Sequence, residues 1–344
     1  MLDVTTTAWA LTIGVIVALL AADLALSSRT PRAVSFRAAV AQSLFYIGVA
    51  IAFGVVFGTI AGWDYGSQYF AGWVVEKSLS IDNLFVFAII MTTFAVPAEH
   101  QHKVLTFGII AALILRVIFI VIGAALLAAF SFMFLLFGLL LIVTAVQLFR
   151  HRDEDPSIED NAIVRFARRH LPFTEQYDGD RLFTRDGARR VATPLFLVLL
   201  TIGSTDILFA LDSIPAVFGV TEEPYIVLTA NAFALLGLRA LFFLVTGLLD
   251  RLVYLSTGLA VILAFIGVKL VLHFGHLQQD TIPEIATATS LGVIVAVLVI
   301  TTIASVLKTR RDPAARAHAG TLRAQRASPD ETRRPADSAP RDRG

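Results

Sequence analysis

Cysteine is absent from all 344 residues, and charge is scarce, with 16% charged side chains against 56% hydrophobic ones. The first absence excludes disulfide-stapled folds, thiolate metal sites, iron–sulfur clusters and cysteine nucleophiles. The second excludes an ordinary soluble chain, in which about a quarter of residues are charged. A chain this apolar is neither disordered nor collagen-like. Enzyme signatures are missing too: there is no His-Glu-x-x-His, no Gly-x-Ser-x-Gly and no Gly-x-x-x-x-Gly-Lys. Aspartates within a membrane segment raise the idea of an intramembrane aspartyl protease. Thr205 and Leu211, rather than Gly, precede Asp206 and Asp212, which argues against it. The chain is expected not to be an enzyme. What is present is a series of long apolar runs, the mark of an all-α polytopic membrane bundle.

A spanning helix needs about 20 apolar residues. Nine segments qualify, near 6–27, 38–60, 72–95, 104–127, 131–149, 193–216, 225–247, 254–274 and 285–307. The run from Val104 to Phe149 would measure roughly 69 Å as one helix. It must therefore fold back, near Ala128 to Ser131. The first segment follows Met1-Leu2-Asp3 with no basic n-region, so it reads as a retained helix rather than a cleaved signal.

Basic residues orient these spans. With the N-terminus outside and the C-terminus cytoplasmic, 24 of the 28 Lys and Arg fall on the inner side. The other four, Lys77, Arg116, Arg239 and Lys269, lie within helices. The outer loops hold Asp64, Glu222, Glu223, Asp280 and Glu284, and Trp9, Trp63 and Trp73 fall at the outer interface. The chain thus divides into spans one to five (1–149), a charged cytoplasmic segment (150–192), spans six to nine (193–307) and a tail (308–344). The middle segment has little apolar periodicity and could recruit other membrane proteins. The tail, rich in Arg, Ala, Asp and Pro, is expected to be disordered. Its basic residues suit anionic lipid, although a solvated tail that fixes orientation explains them more simply.

The chain also repeats itself. Ser80-Ile81-Asp82-Asn83-Leu84-Phe85 and Ser204-Thr205-Asp206-Ile207-Leu208-Phe209 share Ser-x-Asp-x-Leu-Phe. Shifting by 123 positions overlays Arg116 on Arg239 among matches that are mostly Leu, Ala and Phe. Spans three to five (about 72–149) are thus expected to recur as six to eight (about 193–274). Each unit has an odd number of spans, so the second is inverted. Inverted repeats belong to transporters that bind substrate near the midplane.

Ionisable groups at the bilayer centre are costly and mark function. Eight are placed there: Glu76, Asp82, Asp206 and Asp212 against Lys77, Arg116, Arg239 and Lys269. One reading has acids and bases pairing merely to hold the bundle, and it fits Arg116 and Arg239 best. The other reads the acids as ligands. Glu76, Ser80 and Asn83 share one helical face, while Asp206 and Asp212 sit roughly 120° apart around theirs. Pro215 is expected to bend or end its helix and free carbonyls. With the amide of Asn231, these are hard oxygen donors that suit Mg²⁺, Ca²⁺ or Mn²⁺. The seven His lie at helix ends, in loops or in the tail. The pairs His100/His102 and His273/His276 read as interfacial residues sooner than as inner and outer access sites.

The segments Glu76–Phe87 and Asp206–Ala216 resemble the two signatures of the TerC family of integral membrane proteins, named for tellurium resistance. Asn231–Ala240 and Ala264–Lys269 are similar to its later helices, and the likeness covers about 10–307. It implies a nine-span bacterial inner-membrane protein of the broad LysE-like transporter group, some members being linked to manganese efflux. By motif position it implies Glu76, Asp82, Asn83, Asp206, Asp212, Ser213 and Asn231 as ion-path residues. Gly203 stands where an acidic residue is expected, about three before Asp206. Tellurite chemistry runs through thiols, which this chain lacks. The resulting expectation is a divalent-cation exporter, Mn²⁺ foremost and proton-coupled, with no tightly bound cofactor and no nucleic-acid partner. A non-transporting scaffold, for envelope stress or for metal loading of exported proteins, is the alternative.

Overall fold

In lipid every backbone polar group must be satisfied internally, so long apolar segments become helices. The computed structural model describes residues 2–29, 36–150, 162–174, 177–179, 181–186, 189–248 and 253–311. Its order is α1 (Thr6–Arg29), α2 (Phe36–Ala61), α3 (Trp63–Thr93), α4 (Ala98–Ala129), α5 (Phe132–Arg150), α6 (Ala162–His170), β1 (Phe183–Asp186), β2 (Arg189–Ala192), α7 (Pro194–Phe218), α8 (Pro224–Leu235), α9 (Leu238–Leu248), α10 (Leu255–Gln278) and α11 (Thr287–Arg311). The outward faces are apolar: Ile60, Val121 and Ile300 are 81%, 62% and 66% exposed. On helices of membrane-spanning length such a surface suits lipid. The all-α membrane bundle expected from the sequence is therefore observed.

Seven helices are long and apolar enough to cross a membrane, and the bent pair α8–α9 makes an eighth. The remaining expected span, α3, is 31 residues long, but Asp64, Glu76, Lys77 and Asp82 leave it too charged to qualify by composition. It lies at the centre, packed against α2, α7, α8, α9, α10 and α11. The fold-back of the long apolar run falls at Phe130 and Ser131, between α4 and α5.

Two local expectations need correction. Pro215 does not end its helix; α7 continues through it to Phe218. A proline this close to a C-terminus forfeits one bond, and the last carbonyls are met by Gly219 N–H to Pro215 O at 2.9 Å and Thr221 N–H to Val217 O at 3.1 Å. The break comes in the next span, where α8 stops at Leu235 and α9 restarts at Leu238 with a 44° bend. Gly237 supports it with φ +74°, a conformation that penalises a side chain.

The segment 150–192 also carries more structure than its composition suggested. It contains α6 and the antiparallel hairpin β1–β2, in register Phe183 to Ala192. Val164 of α6 packs on Leu197 of α7, and the Tyr177 hydroxyl donates to the Phe94 carbonyl at 2.8 Å. Of the expected tail, 308–311 complete α11; residues from 312 onward, and with them the expected disorder, lie outside the described residues.

α5 packs more extensively on α10 than any other two helices pack. At their crossing a Cβ on Gly138 would stand 2.8 Å from the Gly267 carbonyl, and one on Gly267 would stand 2.8 Å from the Gly138 carbonyl. Only a glycine pair permits this approach, the small-residue contact typical of membrane helices.

Candidate functional site

Three helices meet at a buried ion pair. Glu76 of α3 is 0% exposed and pairs with Arg116 of α4, itself 1% exposed. Arg116 Nη1 also donates to Asn231 Oδ1 of α8 at 2.8 Å. The i, i+4 spacing within α3 lets Ser80 Oγ donate to Glu76 Oε1 at 3.1 Å. Glu76 Oε2, Arg116 Nε and Arg116 Nη2 are buried without hydrogen-bond partners. Glu76 and Asn231 are thus engaged by a guanidinium.

The aspartates lie differently. Asp206 of α7 is 2% exposed, its Oδ2 has no hydrogen-bond partner, and it is electrostatically coupled to Arg116. Ser213 Oγ on the same helix is likewise buried and unpartnered. Asp212 accepts a hydrogen bond from Thr144 Oγ1 of α5 at 2.8 Å. Among the described residues, Asp82 and Asn83 of α3 make no side-chain hydrogen bond or ion pair. No three His, Asp or Glu side chains among the described residues converge into a group that could hold a metal ion. The structure therefore gathers Glu76, Arg116 and Asn231, with Asp206 in electrostatic reach, and does not draw Asp82, Asp206 and Asp212 into one carboxylate cluster. A Cβ at Gly203 would meet nothing within 4 Å, so space does not forbid the acidic residue expected there.

The basic residues each find a different environment. Lys77 of α3 donates from Nζ to the carbonyls of Ala234 at 2.9 Å and Leu236 at 3.3 Å. These are carbonyls that the α8–α9 break releases, at the negative end of the α8 dipole. Arg239 sits 3.5 Å from Asp23 Oδ1 of α1. Asp23 also accepts from Gln42 at 2.5 Å and from Tyr46 at 3.0 Å. The set of eight deep charges omitted Asp23, which is 9% exposed. Its position in an otherwise apolar first span was the available signal. In the register of the two Ser-x-Asp-x-Leu-Phe segments the position matching Glu76 is Leu200, which offers Arg239 no acid; Arg239 pairs instead with Asp23 of α1.

At one end of the bundle lies a cavity of about 530 Å³, lined by residues that include Tyr65, Gln68, Glu222, Glu223, Lys269 and His273. Lys269 is 8% exposed and makes no hydrogen bond among the described residues. His273 Nε2 is 2.9 Å from Glu222 Oε1, and its Nδ1 is 2.9 Å from Glu284 Oε1. The hydrogen bond from His273, against the opposing effect of burial, holds the Glu222 carboxyl below the usual carboxylate range; the charges of His273 and Lys269 add to this. His276 does not join His273; its Nδ1 contacts the Ile282 carbonyl at 2.7 Å. Of the other pair, His100 stacks on Tyr177 at 6.0 Å, and the His102 side chain lies outside the described residues.

A lipid-facing helical shell around a charged interior defines a polytopic integral membrane protein with a polar core. The chain belongs to the integral membrane protein TerC family, whose model matches residues 61–313. It is 47% identical over 313 residues to an uncharacterized membrane protein of Mycobacterium tuberculosis, covering 86% of this chain and 78% of that one. It is 45% identical over 248 residues to the chloroplastic thylakoid membrane protein TERC of Arabidopsis thaliana (72% of this chain, 63% of that one). It is 38% identical over 299 residues to the putative membrane-bound redox modulator Alx of Escherichia coli (84% and 91%). No solved structure matches.

Proposed function

We propose that this protein carries divalent cations, Mn²⁺ foremost, out of the cytoplasm across a bacterial inner membrane. The observation that carries the reading is Asp206, sealed within a membrane bundle with a carboxylate oxygen that has no partner. A buried carboxylate is costly unless a cation or a proton accompanies it. Among the described residues Asp82 makes no side-chain hydrogen bond and Asp212 accepts one from the Thr144 hydroxyl, and both extend the same chemistry. Hard carboxylate, amide and hydroxyl oxygens, with Asn83 and Ser213 among them, suit Mn²⁺, Mg²⁺ and Ca²⁺. Glu76, Arg116 and Asn231 then act as a rigid partner network beside the path.

In this reading α3 completes nine spans, and spans three to five and six to eight are inverted copies. The N-terminus is outside and the C-terminus cytoplasmic. Arrival of a divalent ion is offset by proton loss from the aspartates, giving cation–proton exchange. A pH jump across proteoliposomes that leaves Mn²⁺ flux unchanged would remove that coupling. A relative is named a redox modulator; with no cysteine in this chain, a redox effect here would run through the metal ion rather than a thiol.

The test is total cellular manganese after a Mn²⁺ load, measured by elemental analysis at matched expression. The native protein lowers it, and the double substitution Asp82→Asn with Asp206→Asn abolishes the lowering while the protein stays in the membrane. Equal manganese with and without the native protein sinks Mn²⁺ export. Damage that follows replacement of 150–192, with no effect from the aspartates, favours the scaffold alternative.

A further inference from the structure

Both ring nitrogens of His273 stand 2.9 Å from carboxylate oxygens belonging to two different connections. Glu222 lies between α7 and α8, and Glu284 between α10 and α11. A neutral imidazole carries one N–H, so its other nitrogen would face a carboxylate with lone pair against lone pair. With both carboxyls ionised, only the imidazolium satisfies both contacts. The ring is fixed further by Phe134 of α5, edge-on at 4.7 Å.

We propose that His273 is a proton-operated latch: as imidazolium it ties the α7–α8 connection to the α10–α11 connection beside the 530 Å³ cavity, and loss of its proton releases one of them and opens the cavity wider.

The surroundings define how the latch behaves. From its own helix Lys269 and His276 are the nearest basic groups. The α7–α8 connection presents Glu222 and Glu223, and the α10–α11 connection presents Glu284. α3 contributes Tyr65 and the neutral Gln68, and α5 contributes only the Phe134 ring. Glu223 is already engaged, accepting from the Leu2 amide at 2.9 Å. Two carboxylates thus oppose one imidazolium, with Lys269 in electrostatic reach of both. When His273 loses its proton, the freed carboxylate faces the cavity beside Lys269. The outer end then gains an acceptor for a cation as it opens. The latch depends on the geometry of this end alone, whatever ion the protein moves.

The test exploits the absence of native cysteine. Thr287→Cys places a thiol in the cavity lining, and Thr281→Cys, on an exposed residue, supplies a reference. Purified protein in nanodiscs, open on both sides, is modified with a charged methanethiosulfonate at about pH 6 and about pH 9, which brackets the imidazole titration. The cavity-to-reference rate ratio should rise about tenfold with pH in the native background, as expected of a state that opens by losing one proton. His273→Phe should give the high ratio at both pH values. His273→Arg, whose fork of donors bridges two carboxylates without titrating, should keep it low at both. A native ratio that does not change with pH, or the same rise in His273→Phe, overturns the latch.

Discussion

Glu76 and Arg116 face each other with most of their polar atoms sealed from water, and Asn231 supplies a further acceptor (Oδ1, at 2.8 Å). Removing one member of a buried pair strands the other, which costs about 3–5 kcal/mol, whereas replacing both with apolar residues is often nearly neutral. Glu76→Leu should therefore lower the thermal unfolding temperature in detergent sharply, and adding Arg116→Leu should restore much of it. If the double variant is no better than the single one, the pair is not the source of the loss. The sign of the Glu222 effect is the one expected of an acid with a lowered titration point. Its contribution to stability is complete above the usual carboxylate range and fades as pH falls through its lowered value. Melting temperature followed from about pH 6 downward should show an acid-side decline that Glu222→Gln reduces. The change is small, because the Glu222 side chain is 55% exposed. Deep charges were legible in the sequence because they interrupt apolar runs. Their partners were not, because Arg239 reaches across 216 positions to Asp23.

Among the helices, the α8–α9 break carries the sharpest local constraint. Gly237 has φ +74°, and a Cβ there would sit 2.6 Å from Tyr46 Cδ2. The left-handed backbone alone costs an L-residue about 1–2 kcal/mol. Gly237→Ala should destabilise by at least that, read as a lower melting temperature in detergent; an unchanged melting temperature would show that the left-handed backbone contributes nothing. Lys77→Met should loosen the same break, read as faster amide hydrogen exchange at 234–239. The spans themselves were legible because apolar length dictates them. The break was not, since Gly237 lies in an apolar run like many membrane glycines, and Lys77 meets its carbonyls only in three dimensions. Pro215 misled in the opposite direction: it costs α7 one hydrogen bond, to the Leu211 carbonyl, and the helix continues to Phe218 regardless.

For the whole molecule, the charge asymmetry of the connections makes a topological prediction. In intact cells, a membrane-impermeant thiol reagent should label Thr281→Cys and leave Arg165→Cys on α6 unlabelled until the cells are opened. The reverse pattern would invert the proposed orientation. The apolar exterior followed from composition. The arrangement of the aspartates was not legible, since spacing along a helix says which residues share a face but not which helices face each other. The glycine crossing of α5 and α10 has a mechanical corollary. α5 belongs to the first half of the chain and α10 to the second, and their backbones are in contact at Gly138 and Gly267. The two sequence halves therefore cannot swing apart as separate rigid blocks. They share a strut, and any relative motion of the halves must turn about it.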